Sequence, residues 1–187
     1  AYTDPRWDII NYFIRQKQNG RIRHLGFSSH ALPETLKAFL DQYGEKMEFC
    51  QIQLNWLDWT LQNGKEKYEL LTGRNIPIIV MEPLRGGKLA SLTDDEQKQL
   101  ASLRPDDMPA AWGFRFLTGL PNVRVILSGM STYQQMDENI RTFSEEASLT
   151  EQEPDLLFQS AEDKKDAVPC TACRYCTEGC PMELDIP

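Results

Sequence analysis

Residues 76–81 read IPIIVM, with Pro77 near the start of the run and Pro83 just beyond it. Four consecutive apolar residues, Ile78 to Met81, imply a strand buried on both faces, and such strands belong to parallel sheets covered by helices. Upstream, FCQIQLNW (49–56) and RIRHLGFSS (21–29) are short runs of strand formers, and VRVIL (123–127) is a fourth. Helical signals separate them. WDIINYFIRQK (7–17) places Ile10, Phe13 and Ile14 at helical spacing, with Asn19-Gly20 as the stop. Pro33 opens a second helix through Leu36, Phe39 and Leu40, and KEKYELLTGRN (65–75) is a third, ended by Gly73. Gly86 and Gly87 make EPLRGGKLA (82–90) a loop. Thr93 and Glu96 have the spacing of a capping box, Pro109 starts another helix with Ala110, Phe114 and Leu117 on one side, and Ser131 with Gln134 caps the helix after SGMS (128–131). A last helix from Thr150, containing Leu156, Leu157 and Phe158, leads into the polar run QSAEDKKDA (159–167), read as a linker.

The order is a helix, then strand–helix four times, then a cysteine-rich tail. Strands alternating with helices define an α/β chain with a parallel sheet and right-handed crossovers. Four units make either an open doubly wound sheet or half of a (β/α)8 barrel, and pattern alone leaves both open. The loop after the first strand, Gly26-Phe27-Ser28-Ser29-His30, contains no G-x-G-x-x-G, which argues against a Rossmann dinucleotide site.

Of the 187 residues, 41% are hydrophobic, and no run approaches the roughly 18 apolar residues that span a bilayer. No secretory leader is legible near Ala1, so a reducing cytoplasm and no membrane are expected. A net charge of -8 repels phosphate backbones and excludes a basic nucleic-acid stripe. Cys50, in the apolar run MEFCQIQL, reads as a small buried hydrophobe.

The other four cysteines crowd the end: CTACRYCTEGCP (170–181) carries Cys170, Cys173, Cys176 and Cys180 followed by Pro181. This C-x2-C-x2-C-x3-C-P spacing is that of the iron–sulfur run of bacterial ferredoxins, whose fourth cysteine serves another cluster when two are present. No second run follows, so the fourth ligand is local or lies outside this sequence. Disulfides, zinc and a metal-free tail are the alternatives. Disulfide frameworks spread their cysteines through small domains, and zinc sites place two C-x2-C arms farther apart. A 4Fe-4S cluster on the four cysteines is the expectation.

With these elements in place, IRHLGFSSH, FCQIQLNW, EPLRGGKLA and VILSGMSTYQQMDENI, in that order, make the chain similar to the C-terminal half of an aldo/keto reductase over about residues 7–143. The cysteine tail resembles the ferredoxin-like extension of one branch of that family. The resemblance implies residues 1–149 as strands five to eight of a (β/α)8 TIM barrel with their helices, the strands at 23–29, 49–54, 77–82 and 123–127. Residues 150–187 would be a helix, linker and truncated ferredoxin-like segment. It further implies an NAD(P)H-dependent oxidoreductase that reduces a small carbonyl substrate. A complete barrel needs about 250 residues. The reading is therefore a fragment, inactive alone, or a chain whose open edges are covered by another chain or by self-association.

Carried over by position, the resemblance assigns the nicotinamide carboxamide to Ser28, Ser29 and Gln51, with Met81 where a stacking aromatic is common. Leu84, Arg85, Gly86, Gly87 and Lys88 match the loop over the pyrophosphate. Gly129, Ser131, Gln135, Glu138 and Asn139 match the adenosine-phosphate site. Met130-Ser131-Thr132 lacks the usual cation for a 2′-phosphate, which leaves NADP(H) and NAD(H) both open. The family's Tyr, Lys, Asp and His lie outside this chain; His24, His30 and the six tyrosines offer no substitute. Nicotinamide moves two electrons and a cluster one, so their direct coupling needs a flavin, for which no site is legible. A non-enzymatic metal-binding interaction or electron-relay module on a barrel remnant is the alternative from a different class.

Overall fold

The strand in IPIIVM is present as β3 (Ile78–Met81), within a four-stranded parallel sheet. The computed structural model describes residues 4–145, 148–163 and 175–184. The strands β1 (Gly26–Ser29), β2 (Phe49–Gln53), β3 and β4 (Val123–Ile126) lie in chain order, each parallel to the next. A doubly wound sheet reverses its strand order at a switch point, whereas a barrel segment does not. The unbroken order favours the barrel segment over the open sheet.

Two compact units make up the described chain. The first runs to Leu54 and adds Asp58–Met81 and Leu120–Leu127, so it holds the whole sheet. In it Cys50, Ile52, Ile78 and Val80 are 0% exposed, while Gln51, Gln53, Ile79 and Met81, pointing the other way, are half-buried. This corrects the expectation that β3 is buried on both faces: its alternation leaves one face partly open. The covered face packs on α2 (Pro33–Tyr43), whose Leu36, Phe39 and Leu40 are buried and whose Phe39 ring lies 4.5 Å from that of Phe27. Each such side chain stabilises by about 1.5–3 kcal/mol. Helix α1 (Ile9–Gln18) stops at Asn19-Gly20 as expected, Gly20 taking φ 71. Glu48 then draws together Lys17, the Leu25 N–H and His24 Nδ1, the last at 2.7 Å.

Helix α3 (Asp58–Leu61) escaped the sequence reading, and α4 (Gly64–Thr72) follows it directly. A Cβ on Gly64 would stand 2.7 Å from the Asp58 carbonyl oxygen, so this tight junction requires glycine. Gly73, by contrast, has an ordinary φ of -63; the left-handed residue after α4 is Asn75, at φ 55. Asn122 Nδ2 donates to the Ile76 carbonyl at 2.8 Å and fixes the entry to β4 against β3.

The second unit comprises Asn55–Leu57, Glu82–Gly119 and the chain from Ser128. Helix α5 (Asp94–Leu103) begins at the expected capping box: Thr93 Oγ1 accepts from Glu96 N–H at 3.3 Å and the Glu96 carboxylate accepts from Thr93 N–H at 2.8 Å. Helix α6 (Pro109–Thr118) buries every residue from Ala111 to Leu117. Around it pack α7 (Tyr133–Ser144), through Phe114 and Phe143 at 5.4 Å, and α8 (Glu153–Asp163), through Phe116 and Phe158 at 6.0 Å. The cap of α7 is corrected from Ser131 and Gln134 to Thr132 and Gln135: the helix starts one residue later, at Tyr133, so it is Thr132 Oγ1 that accepts from Gln135 N–H while Gln135 Oε1 accepts from Thr132 N–H. The linker is corrected too, because Gln159–Asp163 continue α8. Helix α9 (Tyr175–Glu178) carries Cys176. Among the described residues no helix is long and apolar enough to cross a membrane.

Candidate cofactor site

At the carboxyl ends of the strands in the first unit, register places Ser28 opposite Gln51 and Gln53 opposite Met81. Gln51 Nε2 lies 3.4 Å from Met81 Sδ, so one carboxamide and one thioether meet on the half-open face. Ser28 is exposed beside them, while Ser29 points to the opposite face and its Oγ accepts from Ala31 N–H at 3.2 Å. Ser29 is thus separated from Ser28 and Gln51. That face can offer a planar polar group both donors and acceptors, and a ring a polarizable contact. Gln53, adjacent on the same face, donates to Asp58 Oδ2 at 2.7 Å, and Asp58 also lowers the cost of charge on buried Lys67. Desolvation nonetheless leaves the Lys67 pKa below its usual value.

In the second unit, the loop from Glu82 is built on left-handed backbone: Glu82, Arg85, Gly86 and Gly87 have φ of 56, 48, 64 and 91. Asn55, fully buried, donates from Nδ2 to the Glu82 carbonyl at 2.9 Å and holds the first of these turns. Below the loop, a Cβ on Gly113 of α6 would meet Leu84 Cδ2 at 2.7 Å, so α6 sets the height of Leu84. Most of the loop's backbone donors are used within it. The N–H groups of Arg85, Gly87, Lys88, Leu89, Ala90 and Ser91 all donate to carbonyls within the loop. Of the loop's two cations, Lys88 is exposed on the single 3-10 turn Lys88–Ala90 and Arg85 is buried.

Gly129 and Ser131 are exposed ahead of α7. Gln135 Oε1 accepts from Ser131 N–H at 2.8 Å and from Thr132 N–H at 3.3 Å, so its side chain closes its own helix start. Asn139 Nδ2 bridges to Ser128 Oγ at 3.1 Å, and Glu138 Oε1 accepts from Gln134 Nε2 at 2.9 Å. These bonds draw Ser128, Ser131, Gln135 and Asn139 into one turn of chain. Of the residues that position the two sets, the sequence reading missed Asn55, Asp58 and Gly113. Only Gly113 left a signal, as a lone glycine inside a helical pattern.

Cys170 and Cys173 lie outside the described residues. Cys176 is exposed and Cys180 half-buried, and among the described residues no three His, Cys, Asp or Glu side chains gather. Backbone N–H groups of Leu184 and then Met182 hold the Cys180 thiol below its ordinary pKa, the state a thiolate ligand needs. Burial drives Cys50 the other way, up to about 12, so it is an inert core residue as expected.

The Aldo/keto reductase family profile matches residues 2–159. Among solved structures, the chain is similar to an aldo-keto reductase of Bacillus halodurans in its holo form, at 23% identity and TM-score 0.66, covering 86% of this chain and 57% of that one. It is also similar to an aldose reductase from Giardia lamblia, at 15% identity and TM-score 0.65, covering 86% of this chain and 52% of that one. This chain therefore spans little more than half the length of the structures it matches. No curated protein matches it.

Proposed function

Since the chain belongs to the aldo/keto reductase family, we propose that it is the dinucleotide-binding part of an NAD(P)H-dependent oxidoreductase acting on a small carbonyl compound. The observation that supports this most is the face shared by Ser28, Gln51 and Met81 at the carboxyl ends of parallel strands, where ligands of barrel enzymes sit. A bound nicotinamide supplies a hydride for transfer to a carbonyl carbon. This chain's residues bind and orient. Gln51 and Ser28 take the carboxamide, with Ser29 supporting from the strand end, and Met81 lies against the ring. Leu84, Gly87 and the loop around them cover the pyrophosphate, whose charge Lys88 and Arg85 balance. Gly129, Ser131, Gln135, Glu138 and Asn139 receive the adenosine end. No residue here is assigned the proton to the product oxygen, so the chain alone is inactive in this reading.

Calorimetric titration with NADPH and NADH tests it. Gln51→Leu and Lys88→Ala should each weaken binding about tenfold, as losing one hydrogen bond or ion pair to a ligand does. Unchanged binding in both variants removes this site map, and saturable binding without turnover when the barrel is complete favours a non-enzymatic module.

The tail carries a second part of the proposal: Cys170, Cys173, Cys176 and Cys180 hold a 4Fe-4S cluster. Four thiolates at ferredoxin spacing are the supporting chemistry. Anaerobically purified protein should contain about four iron and four sulfide per chain, lost in Cys173→Ser. Zinc without sulfide, or iron content unaltered by that substitution, contradicts it.

A further inference from the structure

The tripeptide Gln-Asn-Gly occurs twice in the chain, as Gln18-Asn19-Gly20 before Arg21 and as Gln62-Asn63-Gly64 before Lys65, and no other Asn-Gly pair is present. Asparagine before glycine is a chemically labile pair. Glycine has no Cβ to shield its amide nitrogen or to hinder rotation of the peptide that joins the two residues, so that nitrogen can reach the asparagine Cγ. Both copies have the same neighbour before them and a cation after them, so their local chemistry is alike. Their surroundings are not.

At the first copy, Asn19 is the exposed residue that ends α1, with φ -80 and ψ 3, and Gly20 is exposed at φ 71. A Cβ on Gly20 would meet nothing within 4 Å. What restrains the turn is backbone: Gly20 N–H donates to the Lys17 carbonyl at 2.9 Å and Arg21 N–H to the Gln16 carbonyl at 3.0 Å. These are the bonds of a helix end, which opens locally at little cost. At the second copy, Asn63 is left-handed at φ 54, and Gly64 is buried as the first residue of α4. Gly64 is packed so closely that a Cβ there would stand 2.7 Å from the Asp58 carbonyl oxygen, 3.0 Å from Leu54 Cδ1 and 3.1 Å from Trp59 Cα. The Asn63–Gly64 peptide therefore turns only when α4 leaves α3, a larger opening than fraying of a helix end.

We propose that Asn19 is a site of spontaneous deamidation, which modifies the turn between α1 and β1 while the same tripeptide at Asn63 stays intact. The Gly20 amide nitrogen gives its proton to water and bonds to Asn19 Cγ, the Cγ–Nδ2 bond breaks, and ammonia leaves a cyclic succinimide. Water then opens the ring at either carbonyl, to aspartate or to isoaspartate, and nothing is oxidised or reduced. Either product places a carboxylate at the C-terminal end of α1, where the helix dipole disfavours negative charge. Isoaspartate also adds a methylene to the main chain of the turn. The proposal does not rest on the dinucleotide reading.

Peptide mapping by mass tests it, on the folded 187-residue chain held in mildly alkaline buffer and sampled over time. The peptide holding Asn19 should gain the mass of an amide-to-acid exchange at least about ten times faster than the peptide holding Asn63. In concentrated urea the two rates should converge. Asn19→Ser should remove the acidic form that isoelectric focusing resolves from the aged, folded chain. Equal rates in the folded chain, faster change at Asn63, or change at Asn19 only in urea overturns the proposal. So do rates that stay apart in urea, since local sequence rather than the fold would then set them.

Discussion

The first unit is centred on carbon, with Asp58 and Lys67 as its buried charges to one side, and the second is centred on a guanidinium network. At the centre of the sheet Cys50, Ile52, Ile78 and Val80 are 0% exposed, as is Leu71 of α4, and the sheet's own hydrogen-bond ladder satisfies the backbone between the strands. The second unit also has an apolar centre in Trp112, Phe114 and Leu117, but threads through it Arg115, 2% exposed, whose guanidinium reaches Asp107 at 2.7 and 2.8 Å and Glu145 at 2.7 Å. Arg104 binds Glu153 there at 2.6 and 2.8 Å and lies over the Trp112 ring at 5.9 Å. Apolar packing tolerates small rearrangements. A buried guanidinium does not, because any lost partner leaves a desolvated charge.

Breaking the second unit's network should therefore give the largest effect. Arg115→Met strands Asp107, itself nearly buried, and should cost about 3–5 kcal/mol in urea unfolding. A loss below about 1 kcal/mol would mean that the network is decoration. Ile52→Ala, in the sheet, should cost about 2–5 kcal/mol by leaving a cavity, with no added dependence on pH.

Acid sharpens the contrast further. Arg104, the Thr150 N–H and the Arg104 charge lower Glu153 from 4.5 to about 2, burial opposing them; Lys17, His24 and the Leu25 N–H lower Glu48 to about 2. A carboxylate with a depressed folded pKa stabilises fully above its unfolded value and loses that contribution as pH falls through the folded one. Both contributions should thus fade between about pH 4.5 and 2. The Glu153 side chain is 7% exposed and Glu48 35%, so water and salt screen the latter. Stability measured across that interval should flatten more in Glu153→Gln than in Glu48→Gln, and added salt should remove most of the Glu48 share. Equal flattening would contradict the assigned burial. Smaller still, Thr93→Ala should cost about 1 kcal/mol through its lost cap, read from the urea midpoint. Lys37→Ala, removing an exposed bridge to Asp41, should cost under about 1 kcal/mol by the same reading.

The same contrast explains what the sequence disclosed. Strands and the helices between them are local patterns, so Ile78–Met81, Phe49–Gln53 and the Thr93–Glu96 box could be read in windows of a few residues. Burial on one face only could not, since it depends on what covers the sheet. The Arg115–Glu145 and Arg104–Glu153 contacts span 30 and 49 positions, beyond any periodicity. At the candidate site, Ser28, Gln51 and Met81 are assigned by the family resemblance; the strand pattern by itself says only that Gln51 and Gln53 share a face. The spent donors of residues 85 and 87–91 and the self-capping Gln135 were hidden, because hydrogen-bond partners are fixed by φ and ψ rather than by residue type. Asn55 was missed for a related reason: it acts on Glu82 from 27 positions away.

Hydrogen exchange with and without NADPH tests the central claim most directly, that this chain carries the dinucleotide site of its family. The account predicts added protection in segments 26–29, 49–54, 82–91 and 128–139. Binding with no protection in those segments, or protection confined to α2 and α5, would contradict it.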